Sequence, residues 1–150
     1  QHGPVEEVRS RPATGGVAAL LGSANLLQGD VQGGCLRLGP LRLPVDHRDG
    51  PAVVTLMSDR MSLDRPAWQA VCLPGVMGAA VMRGPYRMVR VDTAAGPVEV
   101  AAGNVDRSPG SAVEVWFDPV DLWPIPHHAT LPTSISTSTP ASPVTVGGVR

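Results

Sequence analysis

Few residues in this chain have the types and spacing that chemistry requires. The histidines are His2, His47, His127 and His128. Three of them fall in terminal segments expected to be mobile, and His47 sits among Asp46, Arg48 and Asp49 in a polar loop. General acid–base work needs an imidazole held within hydrogen-bond reach of its substrate, so none of the four is a good catalyst. His127-His128 brings two adjacent nitrogen ligands and lacks the third and fourth that a stable metal site needs. Cys35 and Cys72 are too few for a disulfide framework or a zinc knuckle, and read as two buried thiols of a cytosolic protein. The expectation is a chain with no catalytic residue, no metal and no enzyme activity of its own.

The charges point the same way. All twelve basic residues are Arg. A phosphate-cradling P-loop needs Gly-x4-Gly-Lys-Ser/Thr, whose Lys reaches the β- and γ-phosphates, and a chain without Lys cannot contain one. The net charge of −1 creates no general field for nucleic acid or an anionic membrane. Arg83, Arg87 and Arg90 form the densest basic cluster, close to Tyr86, but Asp92 and Glu99 are placed to neutralise it across strands. One Phe, one Tyr and three Trp are few rings for stacking bases. No nucleic-acid partner is therefore expected. No apolar run approaches the roughly 20 residues of a spanning helix, and the start lacks the basic-then-apolar order of a signal peptide.

The elements that must position these residues are mostly strands. Helix is confined to residues 1–21, where Pro4 suits a first helical position and Glu6 and Glu7 favour the positive end of the helix dipole. Thr14 is placed to cap a second short helix with an apolar stripe of Val17, Leu20 and Leu21, and Gly22 to stop it. Gly15 and Gly16 weaken that helix by about 1 kcal/mol each relative to Ala. From Leu26 to Phe117 the pattern becomes short β runs. Leu36, Leu38, Leu41 and Leu43 alternate with Arg37 and Arg42 around Gly39-Pro40, and Val113, Val115 and Phe117 share one strand face. Val54, Leu56, Asp59 and Leu63 recur as Val113, Val115, Asp118 and Leu122 at an offset of 59, each copy preceded by a hairpin. This predicts two similar β units, about 22–66 and 67–123. Residues 124–150 hold five Pro and nine Ser or Thr and no acidic residue, the composition of a disordered tail.

Gly22-Ser23-Ala24-Asn25-Leu26-Leu27-Gln28-Gly29-Asp30-Val31 resembles the opening of a TOBE domain, the small β-barrel module that ends many ABC importer ATPase subunits. His2 to Leu21, with a Gly-x-Pro-Glu-Glu-type turn and two short helices, resembles that family's exit from its ATPase domain. Val113 to Trp123, with Asp118-Pro119-Val120-Asp121-Leu122, resembles its closing strand and end. The likeness covers residues 2–123. It implies a mainly β fold of two small OB/MOP-like barrel units, with residues 1–21 as the ATPase-domain linker and 22–123 as the regulatory region. Iron and putrescine/spermidine importers are the most similar subfamilies, although Met57-Ser58-Asp59-Arg60 stands where they carry Arg-Pro-Glu-Arg. The implied partners are the ATPase domain and permease subunits, on the cytoplasmic, peripheral side of the cell membrane. ATP and magnesium would belong to the ATPase domain, leaving no cofactor here. Gln1 in place of Met adds the expectation of a C-terminal fragment of a longer protein.

A related molybdate-binding type of module resembles this chain around Ser23, Ala24, Asn25 and Gly29, where backbone amides and a hydroxyl could hold an oxyanion. Gln28 and Asp30 stand where those modules carry Lys, and a carboxylate repels an anion. The competing assignment gives Asn25 and Gly29 structural tasks in a turn and a bend. A stand-alone oxyanion binder and a non-functional transporter remnant are the rival readings. A weak homodimer is expected through exposed apolar surface, with the Val17, Leu20 and Leu21 stripe and Trp68 or Trp116 as candidates.

Overall fold

The computed structural model describes residues 2–20, 24–103 and 106–125. The chain is mainly β. Among the described residues two short helices, α1 (Val5–Ser10) and α2 (Gly15–Leu20), precede ten strands. The strands are β1 (Ala24–Gln32), β2 (Cys35–Leu38), β3 (Leu41–Pro44), β4 (Gly50–Met57), β5 (Met61–Ser62), β6 (Val71–Arg83), β7 (Tyr86–Thr93), β8 (Gly96–Ala101), β9 (Ala112–Phe117) and β10 (Trp123–Pro124). A single 3-10 turn, Ser58–Arg60, separates β4 from β5, and a second, Pro119–Asp121, separates β9 from β10.

The helices follow the local signals. Pro4 is the N-cap of α1, one position earlier than its ring would need for the first turn, and Glu6 and Glu7 occupy that turn. The Thr14 hydroxyl accepts from the Val17 amide at 3.2 Å and so caps α2. The face α2 buries is Gly15 and Ala18 rather than the expected stripe. Val17 is half-buried and Leu20 is 88% exposed, while Leu21 and Gly22 lie outside the described residues. Small residues win because they let this short helix lie close to β1.

The strands form two curled half-barrel sheets, ordered β10-β4-β1-β2-β3 and β5-β9-β6-β7-β8. The orders are the same once each strand is replaced by its counterpart. Every pairing is antiparallel. The short strand that follows β4 crosses to the second sheet and pairs with β9, while the one that follows β9 crosses back and pairs with β4. The sheets are thus interlocked and do not divide the chain at residue 66. Their inner faces build one core, which includes Leu27, Leu36, Val54 and Leu56 from the first sheet and Leu73, Val91, Val115 and Phe117 from the second.

The register shows how the repeat runs. Leu27 pairs with Val54 and Gly29 with Ala52; Leu73 pairs with Val115 and Gly75 with Val113. Val54 therefore corresponds to Val115, an offset of 61 rather than 59. Gly29 and Gly75 hold equivalent places. A Cβ on Gly29 would lie 2.7 Å from the Arg37 carbonyl oxygen, and one on Gly75 would lie 2.7 Å from that of Asp92. Each strand bends at that point against its own hairpin partner, which leaves no room for a side chain.

The first two residues of the expected tail, Pro124 and Ile125, belong to the folded part. Pro124 pairs with Val54, and Ile125 is buried, donating its amide to the Val53 carbonyl at 2.8 Å. Residues 126–150, with His127 and His128, lie outside the described residues. Among the described residues no helix is long and apolar enough to cross a membrane.

Candidate functional site

The first candidates are the residues of the opening motif. Ser23 lies outside the described residues, and Ala24 begins β1 opposite Met57. Asn25 is buried, and its side-chain amide is committed to the backbone. Nδ2 donates to the carbonyls of Leu56 at 3.1 Å and Glu99 at 3.0 Å, while Oδ1 accepts from the Glu99 amide at 2.7 Å. The Glu99 contacts reproduce a strand–strand pairing with a side chain, fastening β1 of one sheet to β8 of the other. Gly29 is filled by close backbone approach. Both side-chain amide protons of Asn25 are therefore already used, and Gly29 has no room for a side chain.

The polar groups that do converge lie where α1 meets the two 3-10 turns. Arg9 Nη2 reaches Asp59 Oδ2 at 3.0 Å and Glu6 Oε1 at 3.2 Å. The hydrogen bond to Glu6 is the largest influence holding its guanidinium charged, against partial desolvation, with Asp59 adding to it. Arg9 Nε is enclosed with no hydrogen-bond partner among the described residues. The Arg11 guanidinium lies 5.3 Å above the Trp123 ring, a cation–π distance, and Trp123 Nε1 donates to the buried Pro12 carbonyl at 3.2 Å. A depression of about 400 Å3 opens here, lined by Arg9, Arg11, Asp46, Arg60, Asp121 and Trp123 among others. Burial raises the Asp121 carboxyl above the ordinary aspartate value, with Arg60 opposing and Asp118 and Asp59 adding to the rise.

This arrangement fastens α1 and the segment after it to the turn after β4 and to β10. Its cations are guanidiniums, which stay protonated and make poor general bases. His47 Nδ1 and Nε2 lie 3.0 Å and 3.3 Å from the carbonyls of Arg48 and Ile125, so the ring stitches its loop to the end of β10. Among the described residues no group of three or more His, Cys, Asp or Glu could hold a metal ion. Cys35 and Cys72 are free thiols, half-buried rather than fully buried. Burial pushes the Cys72 thiol up, the Glu114 charge adds to this, and Arg65 opposes it. The Cys72 thiolate, the form that reacts, is thereby disfavoured.

Of the basic cluster, Arg83 on β6 pairs with Glu99 on β8 at 3.0 Å, an ion pair between strands as expected, whereas Arg90 pairs at 3.1 Å with Asp92 of its own strand, β7. A second depression, about 590 Å3, lies over β6 and β9, where Arg65 stacks 5.2 Å above Trp116 and Arg107 holds the Leu63 carbonyl at 3.0 Å. The Arg9, Asp59, Trp123 and Pro12 junction carries no motif in the sequence. Its bonded partners are up to 111 residues apart and are brought together by the strand exchange. Comparison with protein-family models finds no match, and comparison with curated proteins finds none either.

Proposed function

We propose that this chain is a non-catalytic regulatory module of the TOBE type, serving the ATP-binding subunit of an ABC importer at the cytoplasmic face of the membrane. The observation that carries the reading beyond the sequence resemblance is the seat of α1. Arg9 grips Asp59, in the turn that leads out of the first sheet, and Pro12 grips Trp123, in the strand that returns to it. A force on the helices is thereby delivered to the places where the two sheets interlock. In such a role the helices join the barrel to an ATPase domain. A contact that differs between open and closed ATPase states would bias the cycle by a coupling energy of about 1–3 kcal/mol. ATP and magnesium would be handled by that domain and the solute by the permease.

The test is ATP turnover by the importer complex assembled with the chain, against complexes carrying Arg9→Ala or Trp123→Ala. The regulatory reading expects solute-dependent turnover to become solute-independent in the variants while basal turnover persists. No association with the ATPase and permease subunits would overturn it. Micromolar binding of molybdate or sulfate, followed by calorimetry, would replace it with the oxyanion-binding alternative.

A further inference from the structure

The repeat isolates one feature that only the second unit has. Gly29 and Gly75 correspond at an offset of 46, whereas Arg37 and Asp92, whose carbonyls face those glycines, correspond at 55. The nine extra residues fall between Gly75 and Asp92 and lengthen the β6–β7 hairpin into an arm. Pairing of β6 with β9 ends at Val76, and Met77 still bonds Ser111 and Gly110. From Gly78 to Arg83 the only strand beside β6 among the described residues is β7, so the opposite edge is open.

All four outer strands of the two sheets carry devices that discourage foreign pairing. β10 and β5 have two residues each, and β10 ends in Pro124. β3 carries Arg42 and Pro44, and β8 carries Pro97 and Glu99. The arm has none of these from Gly78 to Met82, a stretch of Gly, Ala, Ala, Val and Met. A bulge between Met77 and Ala80 sits at its base, bending the arm rather than covering its edge. Val81 is 49% exposed and Met82 67%. An uncharged, proline-free, apolar edge of this kind is a template for another strand.

We infer that the open edge of the arm pairs antiparallel with the same edge of a second copy of this chain, across a two-fold axis near Ala80 and Val81. Charge selects this occupant. Arg83 pairs with Glu99 and Arg90 with Asp92, which leaves Arg87, on β7 and away from the open edge, as the arm's one cation without an ion pair among the described residues, so the arm offers little field to recruit a strongly acidic or basic foreign strand. Two copies also approach without like-charge opposition, because antiparallel pairing about that axis sets each Arg83 opposite Gly78 of the other copy. Gly78, Ala79 and Ala80 are small enough for close contact, and a two-fold pairing closes on itself. Six residues per edge bury less than the roughly 1,200 Å2 of a standard stable interface, so the dimer is weak and concentration-dependent.

Sedimentation of the whole chain over a wide concentration range, beside Val81→Lys and a Val81→Thr control, tests this. A monomer–dimer equilibrium is expected, weakened at least tenfold by the added charge and retained in the control. Circular dichroism checks that Val81→Lys is folded. A second variant, with the arm shortened to the length of the β1–β2 hairpin, is expected to be monomeric. Hydrogen exchange in the native chain should slow with concentration within residues 78–83. A native chain that is monomeric at millimolar concentration would overturn the inference. So would a dimer that survives both Val81→Lys and the shortened arm.

Discussion

The two halves of this molecule share a topology and diverge in what they do with it. Leu27, Gly29, Leu36, Val54 and Leu56 in the first sheet meet their counterparts Leu73, Gly75, Val91, Val115 and Phe117 in the second at matching register. Their hairpin turns touch, since a Cβ on Gly39 would come within 3.2 Å of the Ala95 backbone nitrogen. Positions that define the barrel are therefore kept alike in both halves. The differences lie elsewhere: Asn25 against Val71, the long β6–β7 arm against the tight β1–β2 turn, and Arg60 against Asp121. Where the halves differ, the chain has either joined them to each other or turned a surface outward.

The largest test of this comparison is whether the halves can come apart. Phe117 and Leu56 are equivalent and fully buried. Truncating Phe117→Ala is expected to cost about 3–5 kcal/mol and Leu56→Ala about 2–5 kcal/mol, measured by urea unfolding. Because β5 and β10 each complete the sheet of the other half, both variants should move a single transition followed alike by fluorescence and circular dichroism. Two separated transitions in either variant would show that the interlock does not couple the halves.

The bending glycines sharpen the same comparison at a smaller scale. Gly29→Ala and Gly75→Ala each press a methyl against a carbonyl oxygen that is part of a ladder and cannot simply swing away. A loss of about 3 kcal/mol is expected from each, at the upper end of ordinary overpacking. Equal losses would support equivalence, and a neutral Gly75→Ala would break it.

Much of the architecture was legible from alternation and punctuation. Leu36 to Leu43 around Gly39-Pro40, and Val113 to Phe117, are the strands they read as. The repeat was visible, yet at an offset of 59 in place of 61. Side chains alternate with period two, so a two-residue slip preserves every inward position, and only the hydrogen-bond register can expose it. Thr14 announced its cap because capping is local. The junction of Arg9 with Asp59 and of Pro12 with Trp123 was invisible, because it depends on where a strand returns after crossing between sheets. Asn25 drew notice as a ligand residue, and its partner Glu99 is 74 positions away.

Asn25 supplies the next test. Asn25→Val gives the first half the residue its counterpart Val71 already has. It removes bonds to the Leu56 and Glu99 carbonyls and to the Glu99 amide. Glu99 is only partly buried, so water recovers some of the loss, and about 1–2 kcal/mol is expected. Hydrogen exchange should accelerate at the Glu99 amide, while the middle of β9 is unchanged. Unaltered exchange at Glu99 would mean that Asn25 does not tie the sheets in solution.

The smallest expected effect concerns the equivalent charges that close the two 3-10 turns. Arg60 ends the first and Asp121 the second, and Arg60 is the positive group opposing the rise of the Asp121 carboxyl. Two identical halves would place like charges at these positions, whereas one chain with unequal halves can place opposite ones. Even so, burial outweighs the attraction, and Asp118 and Asp59 add to the rise. A carboxyl whose folded pKa lies above its unfolded value binds more protons when folded. Its contribution is present below the ordinary aspartate value near ~4 and is lost as pH rises through the folded pKa. Asp121→Asn removes that dependence, so the urea midpoint of the variant should gain on the native midpoint as pH rises from about 4 to 6. Arg60→Gln should do the reverse, raising the Asp121 pKa further, so that the variant's decline is larger than the native one and extends to higher pH. A variant-to-native difference that stays constant across this range would show that burial does not govern Asp121. The opposed charges would then be a surface coincidence rather than part of how the two halves meet.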